Sequence, residues 1–106
     1  MGMDIMQQAK AMQSKMEEMQ AKMEKETVEG ASGGGLVTVK TTCKGEAISV
    51  KIDESLLSPS EQEVLGDLIV SAFNNARKNS DAKMELEMKK IAESLGLPSG
   101  MMKFPF

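Results

Sequence analysis

Six apolar residues near the N-terminus, Ile5, Ala9, Met12, Met16, Met19 and Met23, follow one another at alternating steps of four and three. That is the spacing of a coiled-coil seam, one narrow stripe along a helix that is buried only against another helix. The rest of the segment is largely Gln, Lys, Glu, Ser and Ala. An isolated helix of this composition is marginal in water. The stripe therefore requires a partner, either the remainder of the chain or a second copy of it. Four of the six seam residues are Met, which adapts to irregular surfaces and specifies packing weakly. An adaptable groove for helices of another protein is the competing use of such a stripe.

The first helix is expected over residues 4–25, followed by a short strand over 26–31. Ser32 and three consecutive glycines, Gly33 to Gly35, make a turn. A P-loop is excluded there because no Lys-Ser/Thr follows. A second strand is expected over 36–44. It alternates with Val37, Val39, Thr41 and Cys43 on one face and Thr38, Lys40, Thr42 and Lys44 on the other. After Gly45 a third strand, 46–52, is expected to place Ile48, Val50 and Ile52 inward and Ser49 and Lys51 outward. One buried and one solvated face is the pattern of an antiparallel meander.

A second helix is expected over 59–95. Ser58 is positioned to cap it, Pro59 suits the first helical position and Glu61 completes a capping box with Ser58. Val64, Leu65, Leu68, Ile69, Ala72, Phe73 and Ala76 form a broad apolar face, which thins to Ser80, Met84, Met88, Ile91 and Leu95. Gly96 and Pro98 end it. Such a helix is about 55 Å long, whereas a compact domain of this size has a radius of gyration of about 13 Å. Its second half must overrun the globule and needs company, with Met84 and Met88 as its share of a dimer or core seam. The tail spans 96–106, and its apolar end, Met101 to Phe106, is expected to tuck against the sheet or a partner subunit.

At 106 residues the chain is one domain. No run approaches the roughly 20 apolar residues of a membrane span, and Asp4 and two Gln stand where a signal peptide is apolar. A cytoplasmic location is expected, and the single cysteine, Cys43, fits a reducing compartment as a small buried hydrophobe. There is no His, which removes the usual general acid–base and, with one Cys, makes a transition-metal site improbable. No catalytic constellation of base, nucleophile and electrophile can be assembled, so neither an enzyme, a metal, a cofactor nor a small-molecule substrate is expected. With no Trp or Tyr and three Phe, a stacking surface for single strands is also disfavoured.

Charge is uneven. Residues 59–76 hold three acids and no base, and residues 77–106 hold six bases and four acids, in a chain of net charge −3. One reading is complementarity to the helix dipole, with Glu61, Glu63 and Asp67 near the start of the second helix and Lys89 and Lys90 near its end. The other is phosphate binding by these bases together with the lysines of the first helix.

The stretches Gly30-Ala31-Ser32-Gly33-Gly34-Gly35-Leu36-Val37-Thr38-Val39, Val50-Lys51-Ile52-Asp53-Glu54-Ser55-Leu56-Leu57 and Ala72-Phe73-Asn74-Asn75-Ala76 resemble the YbaB/EbfC family of bacterial nucleoid-associated proteins. The Met/Gln/Lys-rich first helix and the short tail, 100–106, agree. The resemblance implies an α+β subunit of order α-β-β-β-α, a homodimer whose helices project as arms, and double-stranded DNA binding in the nucleoid, with a role in nucleoid organisation or gene regulation. Carried onto this chain, it favours Lys10, Lys15, Lys22 and Lys25 on the first arm and Arg77, Lys78 and Lys83 on the second. Glu17, Glu18, Glu24, Asp81, Glu85 and Glu87 are interleaved with these bases. The alternative is a protein-interaction module in which the Met-rich arms are a platform and DNA is incidental.

Overall fold

The computed structural model describes residues 5–96. The chain is an α+β protein of order α1 (Ile5–Lys25), β1 (Thr27–Ser32), β2 (Val37–Thr42), β3 (Ala47–Ile52) and α2 (Gln62–Ser94). The strands form one antiparallel sheet in the order β1-β2-β3. Asp4 and the tail from residue 97 lie outside the described residues.

The three glycines between β1 and β2 form a tight turn with φ of +61°, +69° and +99°. Only glycine enters this region without strain, so the run is a built turn. The β2–β3 turn is tied by Thr42, whose hydroxyl accepts the backbone N–H groups of Lys44 and Glu46 at 3.2 and 3.1 Å. Asp53 closes the turn after β3, its carboxylate accepting both the N–H and the hydroxyl of Ser55. The expected capping box at Ser58 does not form. Pro59–Glu61 is a 3₁₀ turn, the Ser58 hydroxyl bonds that of Ser60, and α2 starts at Gln62.

α2 crosses the sheet over β1 and β2 and comes extremely close to β1 at Gly30. A Cβ built on Gly30 would stand 2.2 Å from both the Ala72 carbonyl oxygen and the Ala76 nitrogen. Gly30, Ala72 and Ala76 are thus matched small residues that let two backbones touch. Polar side chains lock the approach. Ser32 donates to the Leu68 carbonyl at 2.5 Å, Asn75 to Ala31 at 2.8 Å, Asn79 to Glu29 at 2.7 Å, and buried Ser80 to Cys43 at 3.0 Å. Asn75 thereby has its role within the protomer, bonded to β1.

Two clusters make the core. Under the first half of α2 lie Val37, Val39, Leu56, Ala72 and Ala76, flanked by Leu65, Leu68, Ile69 and Phe73. Further along, Met19 and Met23 of α1 meet Cys43, Met88 and Ile91, flanked by Met16 and Met84. The seam of α1 therefore divides. Its C-terminal half is core within the chain, while Ile5 and Ala9 are exposed and Met12 is half-buried.

Two expectations about inward faces are corrected. Ile48 and Val50 are 51% and 42% exposed, although Val50 pairs with buried Val39 and points to the same side of the sheet. α2 covers β1 and β2 and leaves that side of β3 open. Val64, counted on the apolar face of α2, is also exposed. The long helices give the molecule extents of 70 × 23 × 16 Å and a radius of gyration of 18.8 Å, well beyond a globule of this length.

Candidate nucleic-acid interface

The second half of α2 runs antiparallel to α1, with Lys22 beside Glu87 and Lys15 across a cleft from Ser94. Packing of Met19 and Met23 on Met88 and Ile91 fixes the spacing of the two helices. α2 ends at Ser94, which shares a cleft with Lys15, so the first turns of α1 continue past it.

Seven cations were expected to form the binding surface, and the structure separates them into three groups. Lys10, Lys25 and Lys78 are exposed and enter no ion pair among the described residues; Lys15 is also exposed and has only a marginal contact with Glu18, at 3.9 Å. Arg77 is exposed but sits elsewhere, lining a groove of about 460 Å³ between α2 and the β2–β3 turn with Phe73, Asn74, Lys44 and Asp81. Lys22 and Lys83 are engaged within the chain. Lys22 meets Glu87 at 2.8 Å and Glu26 at 3.8 Å, and Lys83 binds Glu26.

Glu87 is the least exposed member of this network, with 13% of its side chain accessible, and it also holds Lys90 at 3.4 Å. Lys15, Lys22 and Lys90 converge with Glu18 and Glu87 on a shallow cleft of about 250 Å³ between the two helices. Lys90 is not among the seven that the family resemblance favours, although the charge pattern alone groups it with them. Its i,i+3 spacing to Glu87 was readable, but Lys22 is 65 residues from Glu87, and no local signal links them.

The hydrogen bond from Lys22 holds the Glu87 carboxyl below the usual carboxylate range, and that from Lys83 does the same for Glu26. Reciprocally, the Lys22 and Lys83 ammonium groups are raised by Glu87 and Glu26. A lowered carboxyl contributes stability above its unfolded value of about 4.3 and loses it as pH falls through the folded value; a raised ammonium contributes below about 10.4 and loses it as pH rises through the folded value. The melting-temperature difference between wild type and Glu26→Gln should therefore be constant from about pH 5 to 9 and shrink on further acidification. A difference that persists undiminished at pH 2 would show that the ion pair is not its source.

Cys43 is buried, and burial pushes its thiol up. No group of three or more Cys, Asp or Glu among the described residues is placed to hold a metal ion, and no described helix is long and apolar enough to cross a membrane.

Comparison with known proteins agrees in sequence and in shape. The sequence profile of the YbaB/EbfC DNA-binding family matches residues 1–95. A nucleoid-associated protein of Bradyrhizobium sp. (strain ORS 278) is 51% identical over 96 residues, covering 91% of each chain. Another from Gluconacetobacter diazotrophicus is 49% identical over 102 residues, 96% of this chain and 94% of that one. The crystal structure of an uncharacterized protein from Helicobacter pylori superposes with a TM-score of 0.67 at 25% identity, covering 80% of this chain and 92% of the other.

Proposed function

Since the chain belongs to the YbaB/EbfC DNA-binding family, we propose that it is a nucleoid-associated protein that binds duplex DNA as a homodimer, through phosphate contacts from its helical arms and without catalysis. The observation that carries this reading is the separation of charge along the molecule. Lys10, Lys15 and Lys89 are exposed on the arm helices, with Lys25 and Lys78 exposed nearer the sheet and Glu17, Glu18, Glu24, Asp81 and Glu85 interleaved, whereas Glu61, Glu63 and Asp67 have no base among them at and just before the start of α2. A chain of net charge −3 can then still present cations to a polyanion. Such contacts read the backbone and carry little sequence information. Nucleoid organisation or gene regulation follows from coating or linking duplexes, and the nucleoid is the location that goes with it.

The homodimer rests on the open side of β3. Ile48 and Val50 face the side that α2 covers elsewhere, and Val70 and Phe73 line the facing edge of α2 at helical spacing. A second copy offers the same surface, and a two-fold contact closes on itself.

The test is binding to a random-sequence duplex over a salt series. Wild type should show log affinity falling linearly with log salt. Lys10→Glu, Lys15→Glu and Lys78→Glu together should weaken binding about 100-fold or more at 0.1 M salt and flatten the slope by about 5, since each substitution occurs twice in the dimer, with the sedimenting mass unchanged. Unchanged affinity in the triple variant would refute these contacts. Ile5 and Met6, 81% and 67% exposed on α1, favour a second reading, the arms as a platform for another protein. A shallow salt dependence in wild type would select it.

A further inference from the structure

The cleft between the arm helices contains a feature that phosphate binding by itself does not call for. Three ammonium groups, those of Lys15, Lys22 and Lys90, line it; exposed Glu18 stands 3.9 Å from Lys15, and the Glu87 carboxylate sits between Lys22 and Lys90. One oxygen, Oε1, accepts from Lys22 at 2.8 Å and contacts Lys90 at 3.4 Å. The carboxylate is largely shielded, whereas Lys22 and Lys90 keep 46% and 59% of their side chains exposed at the mouth of the cleft. A carboxylate oxygen shared by two ammonium groups stands in the relation that a phosphate oxygen would take. We propose that Glu87 is an internal competitor for DNA: it occupies the Lys15–Lys22–Lys90 cleft in the free protein and sets duplex affinity below what these cations would otherwise give.

The chemistry is an exchange of anions. A phosphate entering the cleft must displace Glu87 from Lys22 and Lys90, and the displaced carboxylate must regain water. Lys22 retains Glu26, four residues on, at 3.8 Å as a weaker partner, and the Lys83–Glu26 pair still ties α2 to the end of α1. Duplex binding then recruits fewer cations than the lysine count suggests, and the salt slope is correspondingly small. Glu85, two residues away, is exposed and enters no ion pair among the described residues. It carries the same charge without guarding any lysine.

This inference rests on the DNA-binding reading, and the experiment separates the two. Glu87→Gln keeps the shape of the side chain and removes its charge. Against wild type, it should tighten binding to a random duplex about tenfold at 0.1 M salt and steepen the salt slope by about 3.6, the value for two added phosphate contacts on each subunit of the dimer. Glu85→Gln should tighten binding less and leave the slope alone. Adding Lys22→Gln and Lys90→Gln to Glu87→Gln should return the slope to the wild-type value. Should Glu87→Gln fail to fold by circular dichroism, the double variant Lys22→Gln/Lys90→Gln still decides the matter. With those lysines already occupied, its slope should equal that of wild type, and a slope shallower by about 3.6 would overturn the proposal. A salt-dependent wild type with an indistinguishable Glu87→Gln slope overturns the competitor alone. If no variant binds duplex even at low salt, the DNA-binding reading falls, and the competitor with it.

Discussion

Gly30→Ala should cost about 3 kcal/mol or more of stability, at the upper end of what overpacking does. The added methyl group would lie 2.2 Å from the Ala72 carbonyl oxygen, 2.2 Å from the Ala76 nitrogen and 2.8 Å from the Ala76 Cα. All three atoms are backbone of a long helix, so no side chain can swing aside. Relief requires α2 to lift from β1, and that movement would stretch the bonds from Ser32, Asn75 and Asn79 and open the cluster around Val37 and Val39. For a domain of this size the loss corresponds to a fall of about 10–20 °C in melting temperature. Gly66 is the internal control. It sits within α2, and a methyl group added there would meet no neighbour within 4 Å. Gly66→Ala should therefore stabilise by about 0.5–1 kcal/mol through helix propensity and reduced unfolded-state freedom. Thermal melts followed by circular dichroism compare the two. A Gly30→Ala protein that melts within 2 or so degrees of wild type (roughly the effect of 0.3 kcal/mol) would mean that α2 does not approach β1 as described.

That contact also marks where sequence reading stops. Periodicity reports which residues share a face, and this worked for Val37 and Val39 of β2, both fully buried, but not past the irregularity at Lys40–Thr41, where Thr42, expected on the solvated face, is buried along with Thr41 and Cys43. It carries no information on whether a neighbour covers the face. Ile48 and Val50 follow the same alternation as Val37 and Val39, and they are exposed because α2 ends its coverage at β2. The heptad seam announced a helical partner correctly, but only tertiary geometry assigns Met19 and Met23 to this chain's own α2 and leaves Ile5 and Ala9 exposed. Ser58 had the pattern of a capping residue, yet the chain winds a 3₁₀ turn first and the hydroxyl finds Ser60 instead. Single-residue charge counting fared least well at the candidate interface. Lys22 and Lys83 are as basic as Lys10 or Lys78 in a sequence. In the fold they belong to Glu87 and Glu26, acids separated from them by dozens of residues along the chain. The motif-bearing stretches fared better, because Gly30, the glycine turn and Ala72–Ala76 are one tertiary contact written in three places.

Ile48→Asp combined with Val50→Asp should convert a dimer into a folded monomer. Both side chains are substantially exposed in the protomer and lie outside the two buried clusters, so their replacement removes little from its core. At the two-fold surface proposed around β3 the same carboxylates would face an apolar patch and each other, and burying unpaired charge is prohibitive. β3 is also an edge strand with one face uncovered, an arrangement that natural proteins rarely leave to solvent. Sedimentation at micromolar concentration should give about twice the chain mass for wild type and about once for the double variant, with helical content preserved. Duplex affinity should fall with the mass, by about 100-fold or more, because two arms that engage one duplex through a shared base gain an effective concentration that separate arms lack. Ile5→Asp with Met12→Asp provides the opposing arm of the experiment. These residues lie on the exposed half of the α1 seam, and their substitution should leave the mass of the assembly unchanged. The reverse pattern, a dimer that survives aspartates on β3 and dissociates on losing Ile5 and Met12, would move the subunit contact from the sheet to the arms. The arms would then be occupied by each other, and the cations of the inter-helix cleft would meet DNA only at the margin of that contact.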